Sequence, residues 1–278
     1  MKETRAEHLA VEKLRPFDGH PFKVVDNEEM DQLTWSILTQ GLLTPLVVRP
    51  LPNGEYEVIS GHRRLHACKK AGIETVPALI YAIDRDAAAI ALVDSNLQRE
   101  HILPSEKAFA YKLKLEAMNH QGRTSGQVGQ KWTRDKIAEG ESGRQVQRYI
   151  RLTNLIPGIL QKVDEGRIAL TPAVELSYLT DAEQEDLLET MESEDCTPSL
   201  SQAIQMKALS QSGQLDMDTI FHIMTQPKAN QQEKISFKVS ELRDFFPRHY
   251  TAAQMMQEIK VALKERQQRL ARQRDHSR

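Results

Sequence analysis

Cysteine is nearly absent. The 278-residue chain holds two, Cys68 and Cys196, without paired spacing. This excludes a disulfide framework and a Cys-rich zinc site, and it fits a reducing cytosol. No apolar run approaches the roughly 20 residues of a membrane span. Met1-Lys2-Glu3-Thr4-Arg5 opens on charge, not on the apolar core of a signal peptide. The expectation is a soluble, cytoplasmic protein with no membrane partner. Aromatics are sparse at 5%, yet 40% hydrophobic content supports real cores, and the length allows two or three small domains. A large excess of one charge is also missing, since the net charge is -2. That balance hides segregation. Basic residues dominate Gln121–Leu152 and Val261–Arg278, whereas Asp181–Asp195 is acidic with no basic residue. Basic blocks in a near-neutral chain point to local polyanion contacts.

The most informative stretch present is Ile59-Ser60-Gly61-His62-Arg63-Arg64-Leu65-His66-Ala67. Glu55–Ile59 reads as a strand ended by Ser-Gly. Leu65, Ala67, Cys68 and Ala71 then repeat at helical spacing until Gly72. A glycine bend therefore delivers two adjacent arginines to the first turn of a helix. Free N–H groups and the helix dipole favour an anion there, and two guanidinium forks suit phosphate oxygens. His62 and His66 stand at i, i+4, a zinc-site spacing, but no third ligand lies nearby. Cys68 reads as a small packing residue.

Three parts follow from the patterning: 1–100, 101–226 and 227–278. The first alternates short elements. Glu28–Thr39 is helical and capped by Gly41, Leu46–Val48 is a strand, and Pro52-Asn53-Gly54 is a hairpin turn. Thr75–Tyr81 is a strand in which Pro77 suggests an edge position. The second part is nearly all helix. Leu103-Pro104-Ser105-Glu106 opens a helix to about His120, Gln121–Gln130 is a Gly/Ser/Gln loop, and Ile156-Pro157 starts another helix. Thr171-Pro172 starts a further one with Pro at its first position. The acidic block is a solvated loop or helix face. In the third part Ile235–Val239 alternates as a strand. A helix then runs from Thr251 to about Arg272 with Ala252, Met255, Ile259 and Leu263 on one face. The fold class is α+β: a small mixed N-terminal domain, an all-α middle domain and a small strand-helix unit.

The middle domain carries a helix-turn-helix pattern. A short helix from Thr133 to Glu139 includes Lys136. A Gly140-Glu141-Ser142-Gly143 turn follows, and then an Arg/Gln-rich helix. Val146, Tyr149 and Ile150 pack inward, leaving Arg144, Gln145, Gln147, Arg148 and Arg151 outside. These side chains suit guanine and adenine edges in the major groove. Ser142 caps the helix and can donate to a phosphate. Thr133, Lys136 and Ser142 complete the predicted DNA contacts.

Taken in order, these elements resemble the ParB-type partition proteins, which load onto DNA at a centromere-like site. Gly41-Leu42-Leu43-Thr44-Pro45-Leu46 resembles the family's nucleobase-side loop, and Gly61–Ala67 its phosphate box. Ser95-Asn96-Leu97-Gln98-Arg99-Glu100 with Leu103–Glu106 resembles the segment completing a CTP and Mg²⁺ site. The helix-turn-helix follows at the family's distance, and coverage runs from about Leu14 to Leu209.

The resemblance implies a dimeric clamp that binds duplex DNA and closes with CTP, working with a ParA-type ATPase. Gly61, Arg63 and Arg64 would hold the triphosphate with Thr44 and His62 beside it. Asn96 would serve the metal, and Ser95 and Arg99 would lie near the phosphates. There are departures. His62 and Ser95 stand where the family usually has Glu, and Thr44 where it usually has Gln. Serine cannot act as a carboxylate base, so hydrolysis should be slow or absent. A transcriptional regulator with a vestigial nucleotide site is the competing reading. A nuclease or phosphotransferase using the N-terminal domain is more distant, and so is a sulfiredoxin-like reading, in which the Cys precedes the His-Arg whereas Cys68 lies beyond the box. The C-terminal helix is expected to mediate dimerisation and its basic tail to touch phosphates.

Overall fold

The structure, a computed structural model, describes residues 4–125, 141–226, 245–247 and 249–275. The chain divides into two compact units, Met1–Gln226 and Pro227–Arg278. The first unit opens with β1 (Thr4–Ala10), β2 (Leu14–Pro16), α1 (Glu28–Gln40), β3 (Leu46–Pro50), β4 (Tyr56–Ser60), α2 (His62–Lys70) and β5 (Thr75–Tyr81). It continues with α3 (Arg85–Leu97), α4 (Pro104–Ser125), α5 (Gly143–Arg151), α6 (Pro157–Asp164), α7 (Leu170–Leu176), α8 (Asp181–Ser193), α9 (Leu200–Gln211) and α10 (Met217–Thr225). The second unit contains α11 (Ala252–Asp275). This is the expected α+β fold.

The five strands form one mixed sheet in the order β1-β5-β3-β4-β2. The hairpin at Gly54 joins β3 and β4 antiparallel, with Val48 opposite Val58. Parallel pairing sets β3 beside β5 and β2 beside β4. Side chains alternate along each strand, so both faces need cover. Val48, Val58 and Ala78 bury against Met30, Ile37 and Leu65 from α1 and α2, and Cys68 fills this core as the helical spacing indicated. Ile59 points to the opposite face, among Leu92 and Val93 of α3 and Ala110 of α4. A separate core of Ile159, Leu176, Leu187, Met206 and Ile220 holds the later helices together.

Asn27 caps α1 by accepting from the Met30 amide at 3.0 Å, and Gly41 ends it at φ 76°. Several expectations shift. β5 is internal rather than an edge strand. Pro77 is tolerated because pairing with β3 begins only at Ala78, so at Pro77 β1 alone flanks the strand. β1 itself went unforeseen. α4 runs on through Ser125, so Gln121–Ser125 is helix rather than loop. α7 starts at Leu170, which puts Pro172 at its third position, still inside the first turn where no intrahelical N–H bond is lost. The acidic block is α8, closed by a Thr180–Glu183 capping box, with Gln184, Leu187 and Met191 buried beneath the charged face. Residues 126–140 and 227–244 lie outside the described residues, and with them the first helix of the helix-turn-helix and the strand expected at Ile235–Val239. Among the described residues, no helix is long and apolar enough to cross a membrane.

Candidate functional site

The β4–α2 junction forms as the sequence indicates. Gly61 adopts φ 105°, ψ 26°, and no side chain caps α2 behind it. The helix N-terminus therefore opens into a cleft of about 290 Å³. Gly61, His62, Arg63, Arg64, Ser95, Asn96 and Arg99 all line it, so α2 and the end of α3 meet as expected. Thr44 does not. Its side chain is exposed, and it contributes its carbonyl instead, which accepts from Arg64 Nη1. Pro45 O accepts from the same nitrogen at 3.0 Å. Arg64 thus ties the loop after α1 to the start of α2.

Among the described residues no Asp or Glu lines the cleft, though Glu106 acts on Arg99 from outside the lining. Arg64 and Arg99 are held below the usual arginine range, mainly by burial. Arg63 reaches Glu29 of α1 at 3.0 Å, outside the lining. Partly desolvated guanidiniums favour an anion in the cleft, although Glu106 acts on Arg99 and Glu29 pairs with Arg63. Asn96 is 6% exposed, and its amide nitrogen donates to Leu92 O at 2.7 Å. That bond spends the donor end and leaves the carbonyl oxygen, a hard ligand, for the cleft. Ser95 Oγ also donates to Leu92 O, at 2.9 Å. Asp94 is turned away, its carboxylate paired with Lys114 of α4.

His62 lines the cleft and is also held from behind. Its Nε2 accepts from the Phe17 amide at 3.2 Å, and its ring lies 3.7 Å from that of His20. Burial pushes His62 down to about 3, helped by the charges of His20 and Arg99. Burial likewise lowers His20 to about 4. Both rings are therefore neutral at pH 7, and they pin the chain after β2 to the cleft floor. His66 turns elsewhere, to Asp26 at 3.0 Å. Among the described residues there is no cluster of three or more His, Cys, Asp or Glu that could hold a metal.

Sequence reasoning missed the opposite wall, His20 and Phe22–Val24. Arg99 lies over the Phe22 ring at 5.6 Å. The Lys23 amide donates to Glu106 Oε1 at 2.8 Å, and the Leu103 amide to Oε2 of the same carboxylate at 3.1 Å. Lys23 Nζ reaches Asp164 of α6 at 3.3 Å, and that residue also accepts from Ser105 N and Oγ at 2.9 and 2.6 Å. The aromatic and His cluster in Phe17–Phe22 was the available signal.

In the helical part, Ser142 caps α5 by accepting from the Gln145 amide at 3.3 Å. Val146 is fully buried against Tyr111, with Tyr149 and Ile150 beside it, as expected. The outer face differs in detail. Arg144 and Gln147 are exposed. Gln145 Oε1 accepts from Arg148 Nη1 at 3.1 Å, and Arg148 Nη2 donates to Thr171 Oγ1 at 2.6 Å. Arg151 is half-buried rather than outward, because it packs over Tyr178. Thr133 and Lys136 lie outside the described residues.

A mixed sheet with an arginine-lined cleft, joined to a helical bundle with an Arg/Gln-faced helix, defines the architectural class of this protein. The ParB N-terminal domain family matches residues 1–97. A "Probable chromosome-partitioning protein ParB" of Vibrio cholerae is 30% identical over 238 residues, 84% of this chain and 77% of that protein. A nucleoid occlusion protein of Geobacillus kaustophilus is 39% identical over 118 residues, 41% of this chain and 42% of its own length. Two solved structures of C-terminally truncated ParB from Caulobacter crescentus are also similar. The one complexed to the centromeric parS site has 23% identity and a TM-score of 0.41, covering 74% of this chain and 99% of that one. The one complexed with CTP-gamma-S has 24% identity and a TM-score of 0.33, covering 68% and 99%. The chain belongs to the ParB family.

Proposed function

We propose that this chain is a partition protein that binds duplex DNA through α5 and a nucleoside triphosphate with Mg²⁺ in the cleft. The carrying observation is the meeting of Gly61, Arg63, Arg64, Asn96 and Arg99 in one cleft that, among the described residues, no carboxylate lines. Those residues fit a polyphosphate. The glycine gives backbone access, the guanidiniums supply charge-assisted donors, and the Asn96 oxygen suits a hard cation. Mg²⁺, which Asn96 would help to hold, would offset phosphate charge. CTP is the nucleotide that the family resemblance names. The clamp reading adds a homodimer, held through the segment after Gln232, whose N-terminal domains close around the duplex. It also adds a ParA-type ATPase as partner, in segregation of a plasmid, mobile element or chromosome.

Calorimetry with each nucleoside triphosphate and Mg²⁺, with and without a duplex selected by the protein, tests this. CTP should bind, and Arg99→Ala should weaken it. Arg64→Ala should do so by roughly 1.5–3 kcal/mol, the worth of a charge-assisted phosphate contact. Because Arg64 also holds the Thr44 and Pro45 carbonyls, Arg99→Ala separates nucleotide binding from loop stability. Absence of binding to any triphosphate refutes the clamp and favours the site-specific regulator, a reading that Ser95 supports.

A further inference from the structure

The positive face of α5 does not stop at the helix end. Arg144, Gln147, Arg148 and Arg151 recur three or four residues apart and share one side. At the end of that stripe the Arg151 guanidinium lies 3.8 Å from the Tyr178 ring centroid. Lys207 of α9 places Nζ 3.7 Å from the same centroid. Two cations so close to one point can avoid each other only on opposite ring faces, and even then their separation cannot exceed the sum of those distances. Among the described residues, a single acidic group offsets them, Glu175, at 2.7 Å from Lys207 Nζ. The cluster therefore keeps a net positive charge.

A purely structural tie needs only one cation. Arg151 already joins α5 to the end of α7 by donating from Nη2 to Ser177 O at 3.0 Å. Its Nε is buried without a hydrogen-bond partner among the described residues. Adding Lys207 to the same ring costs repulsion that a bound anion would relieve. Tyr178 is 41% exposed, and no described residue bonds its hydroxyl. The Arg151 fork is spent on the ring and on Ser177 O, so it cannot read a base bidentately. A phosphate oxygen, which accepts from point charges and hydroxyls alike, fits what remains.

We propose that Arg151, Tyr178 and Lys207 form a second contact to duplex DNA, taking a backbone phosphate beyond the major-groove footprint of α5. The proposal rests on the DNA-binding reading of α5. It assigns Arg151 to register rather than base readout, and it brings α9 into the interface.

The test uses the full chain, a duplex that the wild type selects from a random-sequence pool, and a duplex of arbitrary sequence. Affinity is measured across salt concentrations. Lys207→Gln should lower the slope of log K against log salt by about 0.9, the loss of one phosphate contact, on both duplexes. Glu175→Gln removes the offsetting charge and should tighten binding to both, whereas a merely structural Lys207–Glu175 tie predicts no gain. Tyr178→Phe should weaken binding severalfold at unchanged melting temperature. If Lys207→Gln melts early, Glu175→Gln decides: failure to tighten overturns the proposal. An unchanged slope in folded Lys207→Gln, alongside lost selectivity in Gln147→Ala, overturns the second contact and leaves the α5 reading standing. A wild type that binds neither duplex overturns both.

Discussion

Gly61→Ala tests the turn on which the cleft depends. An ideal Cβ at Gly61 stands 2.6 Å from Leu46 Cδ2, and the backbone sits at φ +105°. Leu46 is fully buried and cannot swing into solvent. Two costs follow. A side chain forced into a left-handed conformation costs about 1–2 kcal/mol. Overfilling a close-packed core costs about 1–3 kcal/mol more, for a total of about 2–5 kcal/mol. Gly54→Ala is the internal control, since Gly54 has φ +79° but nothing within 4 Å of its Cβ position. It should pay only the backbone cost, about 1–2 kcal/mol. The difference between the two variants isolates the collision with Leu46. Leu46→Val in the Gly61→Ala background should recover part of it, giving a favourable coupling in a double-mutant cycle. Urea unfolding followed by circular dichroism reads the stability, and calorimetry with CTP and Mg²⁺ reads the cleft. Equal losses for Gly61→Ala and Gly54→Ala refute the collision. A folded Gly61→Ala that still binds CTP normally refutes the role of the turn in holding phosphate.

Other outcomes follow from the same geometry. Because His20 and His62 are held at about 4 and about 3, well below the ordinary 6.5, the unfolded chain binds more protons than the folded one between those values. Their contribution to stability is therefore complete above about 6.5 and is lost as pH falls toward the folded values; unfolding near pH 5 should take up protons, and His62→Phe should reduce the uptake, measurable by unfolding midpoints from pH 7 to 5. Gln147→Ala should cost about 1–3 kcal/mol on the selected duplex and little on random DNA, while Gln145→Ala, whose amide is engaged with Arg148, should cost less; gel-shift titrations check the order. Ser95→Glu should raise nucleotide turnover in a phosphate-release assay without tightening binding. A chain ending near Pro227 should run as a monomer in light scattering if the second unit carries the dimer contact.

The junction between β4 and α2 was legible because a Ser-Gly break between a strand and a helix permits one backbone path, and that path fixes where Arg63 and Arg64 go. Met30, Ile37, Val48, Val58, Leu65 and Cys68 entered the core for the same reason, since their spacing carries the period of their element. Three things stayed hidden. β1 gives little sequence signal, because Thr-Arg-Ala-Glu-His mixes charges on a strand at the rim of the sheet. Pro77 was misread because the edge rule concerns which amide loses a partner, and strand length decides that. Arg151 was misread because a wheel drawn for α5 alone does not contain Tyr178, which arrives from α7 and makes an aromatic face available. The Lys23 wall was invisible because its supports, Glu106 and Asp164, are distant in sequence and are set by tertiary packing.

That wall makes the cleft a gauge. Its floor, α2, travels with the sheet. Lys23 hangs from α4 through its amide and from α6 through its ammonium. One end of the wall, at Lys23, is thus mounted on the helical layer, while the other, at His20, is stacked on His62 of α2. The width of the opening at Lys23 is fixed by how the helical layer seats on the sheet, and its width at His20 by α2 alone.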